Sequence, residues 1–270
     1  MDILCLPTAL ILRIAKNLSV KDRTRLQQTC RGLELHFNSK LHIHDMVRWK
    51  IGRYSALDWA ALKGSLSLAE IAIERRPKTG PASERKYIDS PLQLAARYNY
   101  PDIIRFLVKH GAWINVKNKN GRTPLHSAVV EGSFEAFREL LALGADIHYT
   151  DFTFDTPVHE AAFRGKIEYL RVLIDSGFDF RMTGMLGRTV LHSAAAGAPS
   201  HNPEIIKYLL EHEQVRILIN EYDDLDSTAL DVAMRNSCPE DTIRLLLQHG
   251  AKKGLSLCGG AADTEEGNEN

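Results

Sequence analysis

A four-residue phrase recurs along this chain at an almost constant interval. It reads Ser55-Ala-Leu-Asp58, Ser90-Pro-Leu-Gln93, Thr123-Pro-Leu-His126, Thr156-Pro-Val-His159, Thr189-Val-Leu-His192 and Thr228-Ala-Leu-Asp231. The spacings are 35, 33, 33, 33 and 39 residues. A period of this length marks a stacked array, in which one small unit cannot bury its own apolar face and shares it with the next. The longest interval carries six extra residues, and the turn-rich segment 197–203 is the expected place for them.

The phrase has a physical reading. Ser or Thr caps a helix by accepting a hydrogen bond from an early amide. Proline at the next position gives up an amide that would be unpaired anyway. The third residue is apolar and turns inward. The pairs Ala60-Ala61, Ala95-Ala96, Ala161-Ala162 and Ala194-Ala195 are small enough to let neighbouring helices approach closely. Gly64, Gly132 and Gly165 then break the helix. A second helix follows, with apolar residues such as Ile103, Ile104, Leu107 and Val108 at helical spacing. It closes on Gly111-Ala112, Gly144-Ala145, Gly177-Phe178 or Gly250-Ala251, where glycine takes the left-handed cap conformation. His212-Glu213 replaces that ending in the unit that starts at Thr189. The expected fold is all-α: a solenoid of about six helix-turn-helix units over 55–251, starting near 55, 90, 123, 156, 189 and 228.

Composition excludes several function classes. Lys+Arg and Asp+Glu both total 34, so the chain lacks the basic excess of a nucleic-acid or membrane-surface binder. The balance is uneven, because residues 1–50 hold nine Lys/Arg against four Asp/Glu. Cys5, Cys30, Cys238 and Cys258 are far apart and form no CxxC pair, as expected of reduced thiols. The apolar run near the start follows Asp2, lacks a basic leader and is interrupted by Pro7, so no signal peptide is expected. A cytoplasmic or nuclear location, or both, follows as the expectation. His126, His159 and His192 recur once per unit, as a structural hydrogen-bonding position does, and no ligand cluster accompanies them. With no phosphate loop and no nucleophile elbow either, the expectation is a binding protein without cofactor, metal or catalytic residues.

The repeated phrase, together with Leu140-Leu141 and Gly144-Ala145-Asp146, resembles the ankyrin repeat over 55–251. The resemblance implies a protein-binding scaffold.

Residues 1–50 lack the phrase and read as three short helices. Leu10, Ile11, Ile14 and Leu18 form an apolar stripe, and Ser19 with Asp22 can cap the second helix. The run Leu6-Pro7, Leu10, Ile11, Ile14, Leu18, Ser19, Lys21, Asp22, Leu26, Cys30 and Arg31 resembles the F-box. That resemblance implies docking onto a Skp-family adaptor and, through it, a cullin–RING ubiquitin ligase. Matched one by one, the adaptor-binding positions are Leu6, Pro7, Leu10, Ile11, Ile14, Leu18, Leu26 and Cys30. Ala9 and Arg23 depart from the pattern. The implied function is recognition of a target protein by the repeats and of the adaptor by the head. The alternative is an ankyrin scaffold or inhibitor whose head only caps the stack.

The middle links between units are unusually apolar. Val116, Tyr149 and Met182 fall at 33-residue steps, as do Lys119, Phe152 and Met185. With Trp113 and Phe154, the residues Tyr149, Phe152, Met182 and Met185 are the candidate target-binding set, because aromatic and methionine side chains serve as interface anchors. The segment 252–270, rich in glycine and acidic residues, reads as a disordered tail.

Overall fold

A computed structural model describes residues 55–74, 91–197 and 203–254. The adaptor-binding positions Leu6 to Cys30, with the rest of the head, lie outside the described residues, as do residues 255–270 of the tail. The described residues are helical, with no strand among them, and they fall into two compact units.

The first unit comprises 55–74, 91–95 and 102–112. Its first helix, α1 (Ala56–Lys63), starts at a capping box. The Asp58 amide donates to Ser55 Oγ at 3.1 Å, and the Ser55 amide donates back to Asp58 Oδ2 at 2.8 Å. Two orphan amides are thereby satisfied by side chains three positions apart in the helix start. Helix α2 (Leu66–Glu74) buries Ala69 and Ala72. A third helix, α3, covers 91–97, and α4 (Pro101–Lys109) buries Ile103, Ile104 and Leu107.

The second unit comprises 96–101, 113–197 and 203–254. Its first helices are α5 (Pro124–Glu131), α7 (Pro157–Phe163), α9 (Val190–Ala196) and α12 (Ala229–Arg235), each packed against the next. Their outer partners are α6 (Phe134–Ala142), α8 (Ile167–Asp175), α10 (Glu204–Glu211) and α13 (Glu240–Gln248). Ala128, Ala161, Ala194 and Ala233 are all buried where the first helices meet. Gly197 shows how close that approach is, since a Cβ there would collide with the Phe163 carbonyl. Between the outer helices, Tyr169 packs on Phe137 and Phe134 with ring centroids 4.8 and 5.0 Å apart.

Two of the three histidines of the phrase act in two repeats at once. His126 Nδ1 accepts the Thr123 amide at 3.2 Å and its hydroxyl at 2.8 Å. That leaves the proton on Nε2, which donates to the Asp155 carbonyl of the following hairpin at 3.0 Å. His192 repeats this with Thr189 and with the Ser227 carbonyl, again at 3.0 Å. His159 keeps the cap to Thr156 at 2.8 Å, but its Nε2 faces the Met182 and Arg188 carbonyls without reaching hydrogen-bonding geometry. Asp231 takes the same place in the last unit with reversed polarity. Its Oδ2 caps Thr228 and accepts the Gly254 amide at 2.6 Å.

Two expectations need correction. The six extra residues do not all sit in 197–203. Leu140, Leu173 and Leu209 are equivalent, fully buried positions. Leu140 and Leu173 lie 17 residues after their caps, whereas Leu209 lies 20 after Thr189. Half of the excess therefore precedes α10. The other half follows it as an added short helix, α11 (Glu213–Ile217), which buries Val215 where a glycine turn would otherwise stand. The second correction concerns the start of the tail. Lys252 donates its amide to Asn220 Oδ1 at 2.7 Å and Gly254 is buried, so residues 252–254 close the array.

Thr156 is wholly buried, so Thr156→Val strands the His159 ring and amide without exposing either to water. A loss of about 1–2 kcal/mol is expected in urea unfolding. Burial also pulls His126, His159 and His192 below the ordinary imidazole value, His159 to about 4. As pH falls below about 6.5 the unfolded chain takes up these protons and the folded chain does not. Stability is therefore expected to decline as pH falls from about 6.5 towards about 4. Urea midpoints that stay level from about pH 7 to about pH 5 would contradict this.

Candidate binding surface

The hairpins between repeats carry the candidate residues. In three of the four hairpins from Asn118 onward, the base is held by an acceptor side chain at the start of the tip. Asn118 Oδ1 accepts the Asn120 and Arg122 amides, at 2.8 and 3.1 Å. Asp151 Oδ1 accepts the Thr153 and Asp155 amides, at 2.8 and 3.2 Å. Asp223 Oδ1 accepts the Leu225 and Ser227 amides, both at 3.0 Å. The two aspartates are buried, and each is paired with the arginine of the preceding hairpin. Arg122 Nε lies 3.3 Å from Asp151 and Arg188 Nε lies 3.3 Å from Asp223. Burial alone would raise the Asp151 carboxyl, but the hydrogen bonds from Thr153 and Arg122 outweigh it and hold the group below its usual value.

The third hairpin exchanges the two partners. Gly184 stands where the other three have an acceptor, and Asp155, in the hairpin before it, stands where the first and third hairpins have Arg122 and Arg188. A Cβ on Gly184 would collide with the Asp155 carboxylate, which reaches forward and accepts the Met185 amide at 3.1 Å. Burial raises the Asp155 pKa. Without an internal acceptor, the 184–187 tip closes as a short 3-10 turn (Met185–Gly187) with Leu186 left-handed at φ 60°. That turn leaves Met185 and Leu186 exposed.

The tips are joined in sequence order. The Phe152 amide donates to the Asn120 carbonyl at 3.2 Å, and the Asp224 amide donates to the Leu186 carbonyl at 2.9 Å. Along this ladder the sequence-selected residues divide into two groups. Phe152 and Phe154 are 67% and 69% exposed and stand on the tips with Met185. Tyr149 and Met182 are half-buried at the hairpin bases. Tyr149 meets the exposed Trp113 edge-on, centroids 6.4 Å apart, and carries Lys117 Nζ 5.6 Å from its ring. Sequence reasoning missed Leu186, Tyr222 and Leu225, all exposed on the following hairpins. The 39-residue step from Leu186 to Leu225 was the available signal.

Phe154 stands out. Gly121, Phe154, Gly187 and Asp226 occupy one position in successive hairpins, all at positive φ. Phe154 sits at φ 66°, a conformation that costs a bulky residue roughly 1–2 kcal/mol. Its ring is mostly in solvent, so it returns little of that cost through burial. A strained residue that does not serve the core points to a role in binding.

Among the described residues no group of His, Cys, Asp and Glu could hold a metal ion, and no helix is long and apolar enough to cross a membrane. The arrangement offers apolar side chains on rigid, hydrogen-bonded bases, which suits recognition of a partner surface.

Comparison with known families matches residues 57–151 and 158–256 to ankyrin repeats, and residues 3–42 to the F-box domain. An ankyrin repeat protein of Rickettsia bellii (strain RML369-C) is 44% identical over 43 residues, which cover 16% of this chain and 18% of that protein. Alpha-latrotoxin-Lg1a of Latrodectus geometricus is 38% identical over 66 residues, covering 24% of this chain and 5% of the toxin. The chain thus spans less than a fifth of either relative.

Phe154→Gly relieves the left-handed strain and loses only the smaller entropy cost of glycine, about 0.5–1 kcal/mol. Urea unfolding is expected to show stability unchanged or higher by up to about 1 kcal/mol. A clear loss would mean that the ring holds the fold together after all.

Proposed function

Because the chain belongs to the ankyrin-repeat family and carries an F-box ahead of its repeats, we propose that it is the substrate-recognition subunit of a Skp–cullin–F-box ubiquitin ligase. F-box domains bind Skp-type adaptors, and ankyrin repeats bind target proteins. The order of the two in one chain is the observation that carries the reading. In it, Leu6, Pro7, Leu10, Ile11, Ile14, Leu18, Leu26 and Cys30 hold the adaptor, and the adaptor leads to a cullin. The hairpin tips, with Phe152, Phe154 and Met185, hold the target.

No residue of this chain would form or break a bond on this reading, and no cofactor is called for. The work is done by effective concentration: a target held on the repeats is kept near a ubiquitin-charged enzyme bound elsewhere in the assembly. Such a subunit would act in the cytoplasm, the nucleus or both. The exposed tips support the target half of the proposal. An aromatic anchor that becomes fully buried on binding contributes about 2 kcal/mol or more.

The adaptor half is tested by co-purifying the full chain with a Skp-type adaptor and repeating with Leu6→Asp and Ile11→Asp. The unmodified chain is expected to co-elute and each variant to lose at least about tenfold in affinity, since a buried carboxylate facing an apolar partner is not compensated. Failure of the unmodified chain to bind the adaptor would sink the proposal.

A further inference from the structure

The charges along the ladder of tips are sorted by sign. On the first tip Lys119 is exposed, and just before it Lys117 is exposed with its Nζ donating to the Thr150 carbonyl at 2.6 Å. On the fourth, Glu221, Asp224 and Asp226 are exposed. Between them stand Phe152 and Phe154, then Met185 and Leu186. The charged groups of these middle tips are engaged internally. Asp151 is held by Arg122, Asp155 by the Met185 amide, and Arg188 by Asp223. Arg181 lies at the base of the third hairpin, and Lys252 and Lys253 are exposed at the base of the fourth, where the Lys252 amide donates to Asn220 Oδ1 at 2.7 Å and Gly254 meets the Asp226 carbonyl. The ladder bonds make the order continuous, from Asn120 to Phe152, from Asp155 to Met185, and from Leu186 to Asp224.

We infer that these tips take an extended, unfolded segment of a partner protein whose charge reverses along its length: acidic over Lys117 and Lys119, apolar over Phe152 to Leu186, and basic over Glu221, Asp224 and Asp226. The inference rests on reading the tips as the target surface and adds the chemistry of the target. Charge complementarity selects the occupant, because a segment of uniform sign would meet like charge at one end. The width of the row favours an extended chain. Each middle tip offers only two exposed apolar side chains, a line rather than the broad patch that a folded partner buries. The spacing fits as well. Packed helices lie about 8–10 Å apart, so successive tips are separated by roughly three residues of extended chain at about 3.3 Å each. Four tips therefore engage about ten to twelve residues.

The probe is a fluorescein-labelled synthetic peptide of about twelve residues, with glutamates at one end, leucine and phenylalanine in the middle and lysines at the other end. Fluorescence anisotropy with the full chain is expected to show saturable binding that weakens as salt rises. Lys119→Glu should weaken it roughly tenfold. A second peptide with lysines at both ends should bind the unmodified chain more weakly, yet bind the Lys119→Glu chain at least as tightly as the first peptide does. Lys119 is exposed on a loop, so this reversal leaves the fold intact. No binding of the first peptide, or no exchange of preference in the Lys119→Glu chain, overturns the inference. A peptide with uncharged ends that binds as well as the first, and loses binding with Phe154→Gly, also overturns the charge order but leaves the tips as the target surface. Loss of adaptor capture is read separately and concerns only the ligase proposal.

Discussion

The array depends on one side chain that can accept and donate at the same time. A neutral imidazole accepts at Nδ1 inside its own helix cap and donates from Nε2 to a carbonyl in the next hairpin. No other side chain of this length has an acceptor and a fixed donor on opposite sides of a rigid ring. The bond therefore ties local helix initiation to the placement of the neighbouring repeat. Stability in such arrays is a sum of unit and nearest-neighbour contributions, and this bond belongs to both. At the last unit the requirement inverts. Asp231 has no proton to give, and what it meets is an amide, that of Gly254. A carboxylate ends the relay because an acceptor is what a closing backbone amide needs.

A rigid base allows strain at the tip. The hairpins are fixed by histidine bonds, buried aspartates and arginine pairs, so their tips can hold conformations that would not survive alone. Phe154 and Leu186 are both left-handed without being glycine. The exchange of Asp155 and Gly184 has the same character. It removes the buried ion pair from one hairpin, keeps the acceptor by supplying it from the preceding hairpin, and changes the turn so that Met185 and Leu186 face outward. The same hairpin is the one whose histidine bond to the carbonyl of residue 188 is not closed. The tip before it carries the most exposed aromatic residues among those described, Phe152 and Phe154.

Much of this was legible in the sequence, and what was not has physical causes. The phrase predicts caps at Thr123, Thr156, Thr189 and Thr228, and all four close as capping boxes, because capping is decided within four residues. The structural role of the histidines was legible from their period. The length of the insertion was readable but its division was not. Whether extra residues lengthen a turn or fold into α11 depends on whether a side chain such as Val215 finds a buried place. The candidate anchors were found by alignment of the links, yet their sorting into bases and tips was not. Tyr149 and Phe152 are equally aromatic, and only the loop geometry makes one a support for Trp113 and the other an exposed tip.

The tips also bear on how long a target would stay. A line of apolar anchors, each contributing about 2 kcal/mol once buried, adds up to at most some 6–8 kcal/mol before ordering costs if three or four engage. That corresponds to a dissociation constant near or above a micromolar. At a typical association rate of about 10⁶ per molar per second, the residence time is on the order of a second or less. On the proposed reading, in which the chain would hold a target near a second enzyme and then release it, so brief a hold would be an advantage. The affinity is kept low by presenting a few anchors on a row instead of a broad apolar face. Specificity then falls to the charges at the two ends, which cost little to hold in solvent and repel a segment of the wrong order.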